Sequence, residues 1–271
     1  MELGYLGPEG SYSYEAALEY SKDSVLTPMP SFSAIIEAVD KGIIDGGILP
    51  MENSTEGVVT SVADALYSSN NIHIVKELVL PVVHNLYSTD GNIKSIRYVY
   101  SHLQAIEQCR KYLARSLPDI VPVPCESTSR ACEIAREKGA GYGAIANGLA
   151  AQRNSLVEAA RNLNDNCSNK TRFVAIGREQ AKSTGRDKTS IVFTFDGDGP
   201  GSLYGVLGEF AREKINLARI ESRPAKTELG KYAFFIDFEG HMEDKTVARV
   251  LERVRQLTKT VKIIGSYPAC L

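Results

Sequence analysis

The sequence predicts an α/β protein in two parts, and three observations carry that reading. Over roughly the first two thirds of the chain, short apolar runs alternate with stretches of helical spacing, a βα rhythm in which helices cover a sheet. A polar, charged stretch from Arg178 to Lys188 then reads as a linker. Beyond it the order becomes strand, helix, strand, strand, helix, strand, which is the ferredoxin-like βαββαβ pattern. At 271 residues and 43% hydrophobic content, the chain has enough apolar side chains for two cores.

Each element has a local reason. Leu3 to Leu6 is a short strand that runs into Gly7-Pro8-Glu9-Gly10, and a helix follows with Ala16, Ala17 and Tyr20 inward. Ser11 and Ser13 stand beside that helix N-terminus, where backbone N–H groups without helical partners favour an anion; a simple capping role explains them equally well. Ser31 to Asp40 has Phe32, Ile35, Ile36 and Val39 on one face and stops at Gly42, a usual left-handed terminator. Gly47-Ile48-Leu49-Pro50 is a strand, and Glu52, Asn53, Ser54 and Thr55 crowd the turn after it, ahead of Gly57 and a helix with Val62, Leu66 and Tyr67 inward. One N-cap does not need four polar side chains, and the C-terminal ends of strands are where open α/β sheets bind ligands.

The rhythm continues. Two apolar runs between Ile72 and Tyr87 read as strands, as does Arg97 to Tyr100. Ser101 and Gln104 fit a capping box. Val121 to Pro124 and Gly143 to Asn147 are strands on either side of a helix from Ser127 to Lys138 that closes at Gly139, and a short helix spans Leu149 to Ala151. These units predict a parallel, doubly wound sheet and two lobes around a cleft. Asn169-Lys170-Thr171-Arg172-Phe173 then opens a buried strand that ends at Gly177. There an Arg fork suited to a carboxylate meets a Thr hydroxyl able to donate a hydrogen bond; Lys170 and Arg153 are alternatives for the carboxylate. In the tail, strands at Thr189–Phe195, Asn216–Ser222, Lys231–Phe238 and Val261–Tyr267 alternate with helices at Gly201–Lys214 and Lys245–Leu257.

Lys+Arg 31 against Asp+Glu 33 gives a formal charge of −2, so no basic field is available to hold nucleic acid or an anionic membrane. No run approaches the roughly 20 apolar residues of a membrane span, and Met1 to Gly7 lacks the features of a signal peptide. Five Cys without a CxxC pair and four His without HExxH encode neither a disulfide frame nor a zinc site. The expectation is a soluble cytoplasmic protein with reduced thiols, no metal and no cofactor.

These motifs carry a resemblance. Gly7-Pro8-Glu9-Gly10 with Ser11-Tyr12-Ser13, Glu52-Asn53-Ser54 with Gly57, Ser101-His102 with Gln104-Ala105 and Cys109, Asn169-x-Thr171-Arg172-Phe173, and Glu221-Ser222-Arg223-Pro224 stand in the order found in the prephenate dehydratases, and the likeness runs nearly end to end. Leu103 stands where that family usually has Pro, and Ser11 and Tyr12 replace Thr and Phe, keeping a hydroxyl and a ring. The resemblance implies a two-lobed catalytic domain of the type II periplasmic-binding-protein fold over residues 1–178, a linker over 179–188 and an ACT regulatory domain over 189–271. It implies a carbon–oxygen lyase that converts prephenate to phenylpyruvate in L-phenylalanine biosynthesis, with arogenate dehydratase or a non-catalytic amino-acid or keto-acid sensor as alternatives.

The residues so implied are Thr171, Ser54 and Asn53 for catalysis, with Thr171 as the donor to the leaving hydroxyl. Arg172, Ser11, Ser13, Thr55, Gly57, Asn169 and Phe173 are implied for substrate binding. An allosteric L-Phe site is implied at Gly201, Ser202, Leu203, Asn216, Leu217, Glu221, Ser222, Arg223 and Pro224, in a homodimer or homotetramer.

Overall fold

The computed structural model describes residues 1–197, 199–225 and 231–270, and these form two compact units. The first holds Met1–Ile35, Ile48–Val59 and Val79–Phe173; the second holds Ile36–Gly47, Thr60–Leu78 and Val174–Leu271.

In chain order the elements begin with β1 (Glu2–Leu6), α1 (Tyr12–Tyr20), β2 (Val25–Met29), α2 (Phe32–Asp40), β3 (Gly46–Asn53), the two-residue β4 (Gly57–Val58), α3 (Thr60–Ser68) and β5 (His73–Pro81). There follow β6 (Asn85–Ser88), β7 (Tyr98–His102), α4 (Leu103–Gln108), α5 (Arg110–Ser116), β8 (Val121–Cys125), α6 (Thr128–Lys138), β9 (Tyr142–Ala146), α7 (Gly148–Arg153), β10 (Val157–Ala160) and β11 (Lys170–Gly177). The tail comprises β12 (Asp187–Thr194), α8 (Ser202–Arg212), β13 (Leu217–Pro224), β14 (Tyr232–Glu239), α9 (Lys245–Leu257) and β15 (Thr260–Pro268).

In the first unit, β1 and β2 run parallel, and β3 lies between β1 and β11. β2 escapes a reading by pattern because it is an edge strand containing Pro28, partly exposed along its length and without clean alternation. A separate sheet has the order β10-β6-β9-β7-β8. It is mixed rather than purely parallel: β7 pairs parallel with β8 and β9, whereas β6 and β10 are antiparallel. Period-2 alternation sends Ala144 and Ala146 of β9 to one face, against Ala131, Cys132 and Ala135 of α6 and Ala150 and Ala151 of α7. Ile145 points to the other face, into the cluster with Val99, Ala105, Cys109 and Leu113. The run of small side chains lets α6 and α7 lie close on the sheet.

The second unit is built on the tail, whose sheet has the antiparallel order β13-β14-β12-β15 with α8 and α9 packed through Val206, Phe210, Val247, Val250, Leu251 and Val254. β15 then continues in parallel with β5 at Gly265 and Ile74. A Cβ at Gly265 would stand 2.4 Å from the Ile74 carbonyl oxygen, so only glycine permits this approach. Polar contacts reinforce it. Lys188 Nζ is 2.8 Å from both oxygens of the buried Glu77, and Arg223 places its fork on Asp64 of α3 at 3.1 and 3.2 Å. Lys262 donates to the carbonyls of Leu66 (2.7 Å) and Tyr67 (2.9 Å), and also of Ser69, at the C-terminal end of α3, where a cation suits the helix dipole. The five cysteines are free: Cys109 and Cys132 are buried, Cys125 is half-buried, and Cys167 and Cys270 are exposed. Burial pushes the Cys109 and Cys132 thiols up to about 12.

Candidate active site

The first unit contains a cavity of about 400 Å³, of the size that takes a small metabolite. Its wall draws on strand ends and helix starts: Pro50 and Asn53 of β3, Ser11 to Ser13 at the start of α1, Thr171 and Phe173 of β11, Gln104, Ala105 and Gln108 of α4, and Glu126 to Ser129 at the start of α6. β alternation decides which side of β11 takes part. Thr171 and Phe173 face the cavity, and Arg172 between them does not line it; its Nε is 3.7 Å from Glu52. That placement leaves the expected Arg172 fork off the cavity wall, beside Glu52.

Thr171 sits in a chain of neutral hydrogen bonds. Asn53 Nδ2 donates to Thr171 Oγ1 at 2.9 Å and to Asn169 Oδ1 at 2.9 Å. Asn169 Nδ2 donates to Gln108 Oε1 at 3.0 Å, and the same oxygen lies 3.1 Å from His84 Nε2. Asn53 is held in turn, because its Oδ1 accepts from the amides of Thr55 (2.9 Å) and Glu56 (3.1 Å), an Asx turn that locks the segment after β3. Since Thr171 Oγ1 accepts from Asn53, its own proton is left to be donated into the cavity.

Burial is the main cause that lowers the His84 imidazole below its ordinary value of 6.5, and the hydrogen bond with Gln108 offsets this in part. His84 is therefore neutral, with Nε2–H donating to Gln108 and an unpartnered Nδ1. Its ring meets the edge of Tyr12, whose hydroxyl donates to the Val83 carbonyl at 2.7 Å and is held protonated by burial.

The other expected residues divide. Ser54 exchanges hydrogen bonds with Lys170, its amide donating to the Lys170 carbonyl and its Oγ accepting the Lys170 amide, both at 2.9 Å. It thus fixes the turn against β11, and the observed partner of Thr171 is Asn53. Ser11 is the N-cap of α1, accepting from the Tyr14 amide at 3.2 Å. Ser13 is buried and lines the cavity. Thr55 and Asn169 border a different hollow of about 320 Å³, and Gly57 holds a φ of +84° in the β3–β4 hairpin. The Ser101 hydroxyl donates to the Ile145 carbonyl at 2.7 Å, and the cap of α4 is His102, whose Nδ1 accepts from the Gln104 amide at 3.3 Å; the capping-box expectation is corrected accordingly. Sequence reasoning missed Gln108 and His84. Gln104 and Gln108 stand four apart on a helix that opens at a strand's C-terminal end, a stripe that points at Gln108; nothing local marks His84.

In the tail, Gly201 caps α8 in the left-handed region (φ +89°), and Ser202 Oγ donates to the Gly199 carbonyl at 2.9 Å. Leu203 and Leu217 pack on the tail core, and Asn216 Nδ2 donates to Glu239 at 2.8 Å. Glu221 pairs with Arg219 at 3.1 Å, Arg223 with Asp64, and Ser222 and Pro224 are exposed on β13, the outermost strand of the tail.

An α/β cavity lined by a hydrogen-bonded hydroxyl, followed by a βαββαβ tail, defines the class: a small-molecule-binding α/β domain with an appended ferredoxin-like domain. Residues 3–181 match the family model for prephenate dehydratase, and residues 189–256 match that for the ACT domain. The prephenate dehydratase of Methanocaldococcus jannaschii is 39% identical over 97% of this chain and 97% of its own length. A prephenate dehydratase from Arthrobacter aurescens, crystallised in complex with L-Phe, superposes with a TM-score of 0.90 at 33% identity, over 99% of this chain and 90% of that one. A structure described as GqqA, a quorum quenching acylase, superposes with a TM-score of 0.89 at 29% identity, over 100% of this chain and 98% of that one. The chain belongs to the prephenate dehydratase family. Its reaction is the lyase reaction of that family, the decarboxylating dehydration of prephenate to phenylpyruvate.

Proposed function

We propose that Thr171 serves the departing ring hydroxyl in this reaction, and that the tail binds L-Phe and feeds back on turnover. In prephenate the bond from the ring to its carboxylate breaks, the electron pair moves through one of the two ring double bonds, and the C–O bond at the opposite carbon breaks, the other double bond staying in place. Aromatisation drives the step, and hydroxide is its poor leaving group. Thr171 donates a hydrogen bond that strengthens as the oxygen gains charge, passes its proton to form water, and is reprotonated from solvent. The observation that carries this reading is the Asn53 bond to Thr171 Oγ1, which orients the hydroxyl and polarises it. Asn169, Gln108 and Ser54 hold Asn53 and β11 in place, and Phe173 supplies an apolar wall for the ring.

Acylase chemistry finds less support. Among the described hydrogen bonds, His84 and His102 face Gln108 and a backbone amide, and neither faces a hydroxyl or thiol nucleophile.

For the tail, the support is the L-Phe complex of the Arthrobacter relative together with the chemistry at Gly201 and Ser202, a helix start suited to the effector's carboxylate. Asn216 or Glu221 then takes its ammonium. β13, as an edge strand, offers a ladder to a second copy, which favours a homodimer or homotetramer. Free thiols favour the cytoplasm as the place of action.

The test is turnover of prephenate and of arogenate by the wild type and by Thr171→Ala, each with and without L-Phe. Prephenate turnover that falls by about 10²–10⁴ in a folded Thr171→Ala variant, and that L-Phe suppresses in the wild type, is the expected result. A folded variant with undiminished kcat removes Thr171 from the reaction, and preference for arogenate moves the substrate.

A further inference from the structure

Prephenate carries two carboxylates, yet among the described residues that line the cavity there is no Lys or Arg. The dianion must be met by neutral donors, and helix starts border the cavity at α1, α4 and α6; α4 has only six residues, and its cap His102 already accepts the Gln104 amide. They differ in what they have left to give. At α1 the Ser11 hydroxyl is committed twice, accepting from the Tyr14 amide and donating to the Leu6 carbonyl at 3.2 Å. At α6 the cap is Ser127, whose Oγ accepts from the Arg130 amide at 3.0 Å. Two residues on, Ser129 is 3% exposed, lines the cavity, and its Oγ has no hydrogen-bond partner. A hydroxyl is seldom buried without a partner, and one at the start of an eleven-residue helix lies beside the Thr128 and Ser129 amides, which have no carbonyl one turn earlier in the helix to bond.

We propose that the start of α6 seats the carboxylate that the reaction keeps, the one on the pyruvyl arm, with Ser129 Oγ and the amides of Thr128 and Ser129 as its donors. This rests on the reading of the cavity as the prephenate site. The choice between the two carboxylates follows from chemistry. The ring carboxylate must give up its charge as CO2, so donors fixed on it hold the ground state back more than the transition state. The pyruvyl carboxylate keeps its charge throughout and suits the standing positive end of a helix. The pyruvyl arm and the ring carboxylate share the ring carbon opposite the hydroxyl, so both lie away from Thr171 and the choice rests on which charge survives the reaction. Glu126 lines the cavity beside the same helix start and opposes an anion, but its side chain is solvent-exposed, where water and salt weaken the repulsion. Behind Ser129 a smaller cavity of about 240 Å³ is lined by Arg136 and Arg153 as well as Glu9 and Glu133, a balanced set that adds no net charge.

Binding that is equal in ground and transition states shows in KM and leaves kcat in place. Ser129→Ala should raise the KM for prephenate about 10-fold, the usual scale for a hydrogen bond to a charged group, with kcat within about twofold. Phenylpyruvate, the product, retains only the pyruvyl carboxylate, so its inhibition constant should rise by the same factor. Glu126→Gln should lower both constants about two- to threefold at low salt. Thr128→Pro removes one amide donor at a first helical position that tolerates proline, and should reproduce the loss if Ser129→Ala fails to fold. A raised KM with an unchanged inhibition constant for phenylpyruvate would assign the site to the ring carboxylate and overturn the proposal. Unchanged KM and inhibition constants in Ser129→Ala, or a fall in kcat alone, overturn it as well. A wild type that does not turn over prephenate overturns the underlying reading together with it.

Discussion

The cavity and the tail solve the problem of fixing polar side chains in opposite ways. Around Thr171 the links are neutral: Asn53, Asn169, Gln108 and a neutral His84 pass hydrogen bonds from one to the next. In the tail they are ionic: Arg219 lays its guanidinium on the buried Asp237 at 2.8 and 3.2 Å, reaches Glu221 at 3.1 Å, and shares Asp237 with the Ser190 hydroxyl at 2.6 Å. A neutral chain can orient the hydroxyl proposed to react without setting a strong field beside a substrate that loses and moves charge. An ionic cluster clamps neighbouring strands, at the cost of desolvating every charge in it.

This contrast can be broken at either end. The largest expected effect on stability lies in the tail. Asp237→Ala leaves Arg219 buried without its main partner and should cost about 3–5 kcal/mol, read as a drop in Tm; a loss near that of an exposed pair would mean the cluster is not clamping the sheet. On activity, Asn53→Asp is the sharper probe, because it keeps the oxygen that holds the Thr55 and Glu56 amides while removing the Nδ2 donor to Thr171. A fall in kcat of roughly 10- to 100-fold is expected, together with a drop in Tm matching about 1–3 kcal/mol, because Asn169 Oδ1 loses the same donor. Equal kcat would show that Thr171 does not depend on Asn53.

The smallest effect concerns pH. His84 has a lowered pKa, so below its ordinary value of 6.5 the unfolded chain takes up the proton more readily than the folded one. Its contribution to stability is complete above that value and should decline as pH falls toward the folded pKa. Urea unfolding at stepped pH should show that slope, flattened in His84→Gln; an unaltered slope would locate the proton uptake elsewhere.

Much of this was legible in residues that act locally. The tail order followed from apolar spacing, and the 169–173 segment was visible as a polar mouth on an apolar strand, because strand and helix periods are properties of neighbours. What stayed hidden was set by facing and distance. The alternation of β11 leaves Arg172 off the cavity wall, a facing that no local pattern marks, and Ser101 looked like a cap until its hydroxyl reached Ile145, 44 residues away. Gln108 joins His84, 24 residues before it, to Asn169, 61 after it, through one oxygen, and no local window contains that junction. The spare hydroxyl of Ser129 was equally out of reach, since a Ser inside a first helical turn is indistinguishable in sequence from one already satisfied.

The distribution of the five thiols has a practical consequence. With Cys109 and Cys132 buried and held as thiols, a mild maleimide reaction should stop mainly at Cys167 and Cys270, one in each unit and one of them two residues before Asn169. The natural chain thus carries its own pair of attachment points for a donor and an acceptor dye, so that the response of one unit to an effector met by the other becomes a change in light transfer between them.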